Sequence, residues 1–275
     1  YLVSPGAVLL AALLLIASNF FYGSGENLAG AFLPELARGR ALGRVSGWGW
    51  SLGYFGGLTA LVACLIIMLR GKAQGLTEAQ LVPWTMLATA AVYAIASIPT
   101  FLLLKERAQP RRDVRTASLF KDTFRSLQRA ARDSERFVDL RRFLWCLTIY
   151  QAGVAAVISL AGIYAKEVMG FSFEQLIKLI IFANVSAAAG AFLFGYVQDK
   201  LGHTRTIALT LLAYIVVIAL MTTASKTGIT QFWIAANLAG FAMGACQSAG
   251  RALVGLLAPA PRRVRRRTSR SPTAS

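Results

Sequence analysis

Seven long apolar stretches alternate along the chain with short charged ones. They fall at 7–32, 47–70, 82–104, 143–165, 176–198, 205–224 and 230–257. Each has roughly the 20 residues that an α-helix needs to cross about 30 Å of hydrocarbon. The stretches are apolar on every face, as suits a helix surrounded by lipid rather than one half-buried in a soluble domain. This pattern predicts an all-α, polytopic membrane protein, a helical bundle of about seven transmembrane helices.

The charged segments orient the bundle. Arg38, Arg40 and Arg44 follow the first span, and twelve Lys or Arg lie between Lys105 and Arg142 after the third. Lys200 and Arg205 follow the fifth, and six Arg follow the seventh. The opposite side carries only Arg70, Lys72, Lys166, Lys178 and Lys226. Lys and Arg concentrate in cytoplasmic loops, so the first loop, the long middle loop and the tail are expected in the cytoplasm. Cysteine labelling checks this. With the three native cysteines replaced, Arg115→Cys should react with an impermeant maleimide only from the cytoplasmic side, and Lys226→Cys only from outside. Labelling of both from one side would remove the seven-span topology.

Composition narrows the function classes. The chain has 275 residues, 56% hydrophobic and 15% charged, where a soluble domain carries about 25% charge. Its net charge of +17 would ordinarily suggest nucleic acid. Here the basic residues are divided among loops and form no continuous soluble face, so no nucleic-acid partner is expected. The expected partners are the lipid bilayer, a small-molecule substrate and protons. Cys64, Cys146 and Cys246 lie within apolar stretches without a nearby Cys or His, and there is one histidine. They read as packing residues, with no disulfide framework, metal site or cofactor. Nothing resembles a nucleotide cradle, a nucleophile elbow or paired catalytic carboxylates, so the chain is not expected to be an enzyme.

Two segments differ from the spans. In 105–142, Phe120, Phe124, Leu127, Ala131 and Val138 recur near helical spacing among basic residues. This describes an amphipathic helix on the membrane surface or, alternatively, a solvated linker. Residues 258–275 open with Pro259 and Pro261 and continue as an Arg-rich tail. That tail is expected to be disordered, and its abrupt change of composition suggests a truncated or frameshifted reading frame.

Small residues recur every fourth position in three spans: Gly49, Gly53 and Gly57; Ala187, Ala191 and Gly195; Ala236, Gly240, Gly244 and Ser248. Such rows let helices approach closely in lipid, and Gly49, Gly53, Gly57, Gly240 and Gly244 are the expected packing glycines. Polar groups inside spans are the candidates for chemistry, because each is costly in lipid unless paired or wet. Asn19, Tyr22 and Glu26 share a helix face, with Asn27 beside it. Glu26 stands about 10 Å from the end of its span at 1.5 Å per residue. The last span presents Asn237, Gln247 and Arg251, and the fourth and fifth add Gln151 and Asn184. Glu26 reads as a carboxylate lining a cavity, for a proton or a cationic group, or as one that reaches the interface or caps a neighbouring helix. Arg251 reads as an anion ligand, as a partner of Glu26, or as an arginine reaching the nearby surface.

The segment Gly195-Tyr196-Val197-Gln198-Asp199-Lys200-Leu201-Gly202-His203-Thr204-Arg205 resembles the cytoplasmic signature of the major facilitator superfamily. In that family the Gly admits close helix contact and the Asp binds the neighbouring helix in one gate state. The corresponding gating residues here are Gly195, Asp199, Lys200, Gly202 and Arg205. His203 and Thr204 stand where the family usually has basic residues. A narrower likeness lies in Phe32-Leu33-Pro34-Glu35-Leu36-Ala37, in Gly43-Arg44-Val45-Ser46-Gly47 with the glycine row that follows, and in Gln247-Ser248-Ala249-Gly250-Arg251. These resemble the branch of the vacuolar amino-acid effluxer of autophagy, including its bacterial members.

The resemblance implies a twelve-helix fold of which the seven spans are helices four to ten. Residues 1–104 would then be part of the N-terminal half, 105–142 the central loop and 143–257 part of the C-terminal half. The helices that line the cavity in this fold match the first, fourth and seventh spans, those richest in polar residues. The resulting expectation is a secondary transporter of a small metabolite, such as amino acids, working by alternating access in a bacterial cytoplasmic membrane, with Glu26 carrying a proton. The alternatives are a seven-helix receptor or sensor, or a truncated transporter fragment without activity. A retinal sensor would need a lysine deep in the last span, and 230–257 has none.

Overall fold

The computed structural model describes residues 7–37, 41–104, 138–224 and 228–257. The predicted surface helix before residue 138 and the tail from 258 lie outside them. Among the described residues the chain is all helix and turn: α1 (Val8–Ala31), a short α2 (Leu33–Leu36), α3 (Leu42–Ala73), α4 (Glu78–Leu103), α5 (Val138–Glu167), α6 (Phe173–Leu201), α7 (His203–Thr223) and α8 (Ile229–Leu257). Seven helices there are long and apolar enough to cross a membrane. α5 begins five residues before the span expected from hydropathy, taking in Asp139, Arg141 and Arg142. The 32 residues of α3 extend for about 48 Å, longer than the hydrocarbon layer, and its charges stand near its two ends, Arg44 at one and Arg70 and Lys72 at the other.

Local sequence sets the breaks. Thr77 and Gln80 close a reciprocal capping box at the start of α4, and Ser172 and Gln175 do so for α6. These bonds satisfy amides that have no partner inside the helix. One residue, Gly202, ends α6 and starts α7, at φ +90° and ψ 148°. Residues with a Cβ rarely adopt that backbone, which is the physical need for glycine at this place in the segment.

α8 is the centre of the bundle. It packs most extensively on α6, then on α7, and also meets α3 and α5. Its buried face is built largely of Ala, Gly and Ser. The contact with α6 is backbone to backbone. A Cβ at Gly240 would collide with the carbonyl oxygen of Ala183, one at Gly244 with that of Ala187, and one at Gly190 with that of Phe241. Close approach of this kind supplies van der Waals contact where lipid offers no hydrophobic driving force. Against α7 and α5 the surface becomes larger-grained, with Tyr150, Val154, Ile207, Tyr214 and Val217 around Cys246. At the end away from Arg44, Ala165, Met169, Phe171, Leu179 and Phe232 form a second apolar cluster, where the Tyr164 hydroxyl donates to the carbonyl of Ala224 at 2.7 Å.

Among the described residues, the glycine row expected in α3 is not the one that meets α6. Beyond the neighbouring backbone of α3 itself, no described atom lies within 4 Å of where a Cβ at Gly49, Gly53 or Gly57 would stand. The contact runs instead through Gly43 and Gly47. A Cβ at Gly47 would be 2.5 Å from the Ala191 oxygen and 2.8 Å from the Gly195 Cα. Glycines recur at fourfold spacing in two registers of α3, two residues or about 200° apart, and only one register can face α6. The α6 row Ala187, Ala191 and Gly195 is thus used from both sides, by α8 and by α3. α1 buries none of its residues against the rest of the described chain.

Candidate functional site

Two features gather polar groups from several helices. The first is an open recess of about 240 Å³ between α1, α3, α4 and α8. Glu26 of α1 and Arg251 of α8 form an ion pair across it, with 3.6 Å between Oε1 and Nη2. Their side chains remain 41% and 26% exposed, so the pair is reachable from the recess. The Arg251 guanidinium also lies 4.6 Å from the centroid of the Trp50 ring, within cation–π range. Tyr22 and Tyr93 add phenolic walls. Gly25 and Ala29 of α1 and Gly49 and Gly53 of α3 complete the lining; without side chains, Gly49 and Gly53 leave the flank of Trp50 open.

The sequence-predicted polar residues divide. Tyr22, Glu26 and Arg251 come together in this recess. Asn19 does not join them: its Nδ2 donates to its own helix at Leu15 O, 2.9 Å. Asn27 is exposed and outside the lining. Gln151 Nε2 donates to Gln247 Oε1 at 3.0 Å, which ties α5 to α8. Ser186 donates to Asn237 Oδ1 at 2.8 Å, tying α6 to α8, while Asn237 Nδ2 returns to Trp233 O. Asn184 Nδ2 donates to Ile180 O in its own helix. These amides are occupied by structural bonds.

The second feature lies at the basic end of the bundle, where α6 meets the start of α3. The N-cap position of α3 is Ala41, whose side chain cannot cap. Asp199 of α6 supplies the missing acceptor from outside the helix. Its Oδ1 accepts from the Gly43 amide at 3.0 Å, and its Oδ2 from the Arg44 amide at 3.3 Å and Arg44 Nε at 3.2 Å. A carboxylate on the first free amides of a helix satisfies those donors and meets the positive end of the helix dipole. Asp199 is 9% exposed and Arg44 47%, so the carboxylate is enclosed while the arginine reaches outward. A Cβ at Gly43 would collide with this carboxylate.

Gln198, the residue before, is buried. Its Nε2 donates to Gly43 O and to Ser248 Oγ of α8, both at 2.9 Å, and its Oε1 stands 3.1 Å from His203 Nδ1. Ser46 Oγ donates to Ser248 O at 2.8 Å. Outside this junction, Trp48 Nε1 donates to the Tyr196 hydroxyl at 3.2 Å. Lys200 and Gly202 line a surface hollow beside Arg44, and Arg205 is exposed. The sequence points to Asp199 as a gating residue; Gln198, Gly43 and Ser46 stand there only as members of the quoted motifs, and nothing in it marks Trp50 or Tyr93 as site residues. A glutamine closing the strongly apolar span 176–198 was a signal for Gln198.

Comparison with known proteins agrees with this architecture. A family model described as "Vacuole effluxer Atg22 like" matches residues 38–263. A protein of Bacillus subtilis (strain 168), described as an uncharacterized MFS-type transporter YxiO, is 22% identical over 242 residues, covering 86% of this chain and 54% of that protein. The chain thus spans about half the length of the relative it matches. No solved structure matches it. With the family match covering most of its length and seven apolar helices of spanning length, the chain is a multi-pass membrane protein that belongs to the vacuole effluxer Atg22-like family of major-facilitator-type transporters.

Proposed function

We propose that the chain is part of a secondary transporter that moves a small metabolite across a bacterial cytoplasmic membrane by alternating access. One observation carries this reading: α3 and α6 are latched at their basic ends by Asp199, while an open recess holding Glu26 and Arg251 lies farther along α3. A bundle that binds a solute between two helical halves needs a contact at one end that can form and break. Asp199 on the amides of α3 has that character, since charged hydrogen bonds exchange readily for water when the ends part. The basic end is the cytoplasmic one by the distribution of Lys and Arg, so this state is closed to the cytoplasm.

The recess suits a zwitterion such as an amino acid. The ammonium would meet Glu26, the carboxylate Arg251, and the side chain the faces of Trp50 and Tyr93. A ligand carrying both charges replaces the existing pair without leaving either protein charge alone in a membrane site. Glu26 is also the acid placed to carry a proton. Glu26→Gln keeps size and hydrogen bonding but has no proton to lose. In a form of the protein that transports in proteoliposomes, this variant should bind substrate and exchange it between two pools, yet lose pH-driven accumulation. Persistence of that accumulation removes Glu26 as proton carrier. Loss of binding would make it a direct ligand of the substrate.

A further inference from the structure

We propose that Gln198 is a positioning residue that couples the closure of the basic end to the Glu26–Arg251 recess, through Ser248. The proposal rests on the recess being the substrate site. Asp199 and Gln198 are neighbours in sequence but hold different things. The bonds of Asp199 go to α3. Those of Gln198 go to α3 at Gly43 and to α8 at Ser248, so it joins three helices at one point.

The amide is fully used. Gly43 O can only accept, which fixes Nε2 towards α3 and leaves Oε1 towards His203. Oε1 can only accept, so His203 Nδ1 carries the proton there. With Gln198 1% exposed and all its groups engaged, α3 cannot leave without stripping a buried amide of a partner. Such an arrangement has two states, formed or broken, rather than a continuum.

Ser248 carries the connection onward. It is fully buried and is held to α3 by Ser46 on its carbonyl and to α6 by Gln198 on its hydroxyl, and Gln198 in turn holds α3 at Gly43. One turn farther along α8 stands Arg251, and one turn beyond Ser46 on α3 stands Trp50, on which Arg251 rests. Ser248 and Arg251 are separated by about 4.5 Å along the axis. The same turn of α8 therefore carries both the closure bonds and the contacts of the recess. A ligand that draws Arg251 away from Trp50 and Glu26 shifts this turn, and the shift acts on the Gln198 and Ser46 bonds. By linkage, closure in turn alters the affinity of the recess.

The test uses the chain in lipid nanodiscs, with Cys64, Cys146 and Cys246 replaced by alanine. Nitroxides at Leu52→Cys of α3 and Leu201→Cys of α6, both exposed, report the separation of the two helices by pulsed electron resonance. Glu26→Gln should raise the long-distance population about fivefold when Gln198 is present. The same change should have less than about a twofold effect in a Gln198→Leu background. Ser248→Ala, which removes only a hydroxyl, should blunt it in the same way and carries the test if Gln198→Leu does not fold. An equal response to Glu26→Gln in all three backgrounds overturns the proposal, because Gln198 would then be structural only. No response in any background, in a variant that still loses pH-driven accumulation, also overturns it while leaving the recess as the transport site. No response together with unchanged accumulation removes the recess itself.

Discussion

Gly244→Leu is expected to keep α6 and α8 from docking and to leave little folded protein. The place a Cβ would take at 244 is occupied by the carbonyl oxygen of Ala187, with its carbonyl carbon 2.7 Å and the amide nitrogen of Ala191 2.9 Å away. These are backbone atoms of a helix, held by hydrogen bonds along its axis, so they cannot rotate aside as a side chain would. Ala187 and Ala191 are fully buried, and Gly47 presses on the other side of Ala191. Displacement of α6 therefore disturbs α3 as well. Even Gly244→Ala should cost about 1–3 kcal/mol, the usual range for overpacking, and leucine more. Gly57→Ala is the control, because its Cβ would meet no described atom within 4 Å beyond the neighbouring backbone of α3 itself. That change should be neutral or stabilising by up to about 1 kcal/mol, from the better helix propensity of alanine. Thermal unfolding of the two alanine variants in detergent measures the difference. Equal melting temperatures would mean that the α6–α8 contact does not set stability.

What the sequence disclosed and what it withheld follow from the same physics. Spans depend on length and on the absence of charge, and both are local properties of the chain. The seven helices were accordingly readable, as was a junction whose Gly202 is required by the backbone. The rotation of each helix about its axis was not readable. In a soluble protein an apolar stripe points to the core, but a helix in lipid is apolar all round and has no such stripe. For that reason the row Gly49, Gly53 and Gly57 reads as the packing face of its span, and nothing in the spacing points instead to the pair Gly43 and Gly47. Only the assembled bundle shows that the pair meets α6. Trp50 and Tyr93 in the recess escaped notice by the same ambiguity. The amides expected in a cavity had a different difficulty: Asn19 and Asn184 satisfy themselves on the preceding turn. That choice of rotamer costs little and leaves no mark on residue spacing.

Asp199→Ala should open the basic end. The substitution removes one acceptor from the Gly43 amide and two from Arg44, and leaves the start of α3 without a cap, since Ala41 offers none. Hydrogen bonds to a charged group contribute about 1.5–3 kcal/mol each, and less than additively when they share one carboxylate. Arg44 is half in water and recovers part of its share there. The Gly43 amide recovers less, being enclosed beneath Gln198. A net loss of about 2–3 kcal/mol shifts the closed-to-open ratio by roughly 30-fold to 140-fold, at tenfold per 1.4 kcal/mol. Ser51, 6% exposed and on the same line of α3 as Gly43 and Gly47, offers a reporter. With the native cysteines replaced, Ser51→Cys should react slowly with an impermeant maleimide while Asp199 is present. It should react at least tenfold faster in Asp199→Ala, from the cytoplasmic side only. Asp199→Asn should fall between the two, because it retains one acceptor oxygen but loses the charge that faces Arg44 and the helix dipole. Labelling at the same rate in all three would mean that the ends stay joined without the carboxylate. The latch would then reside in the backbone contact of Gly47 with Ala191 and in the Gln198 amide.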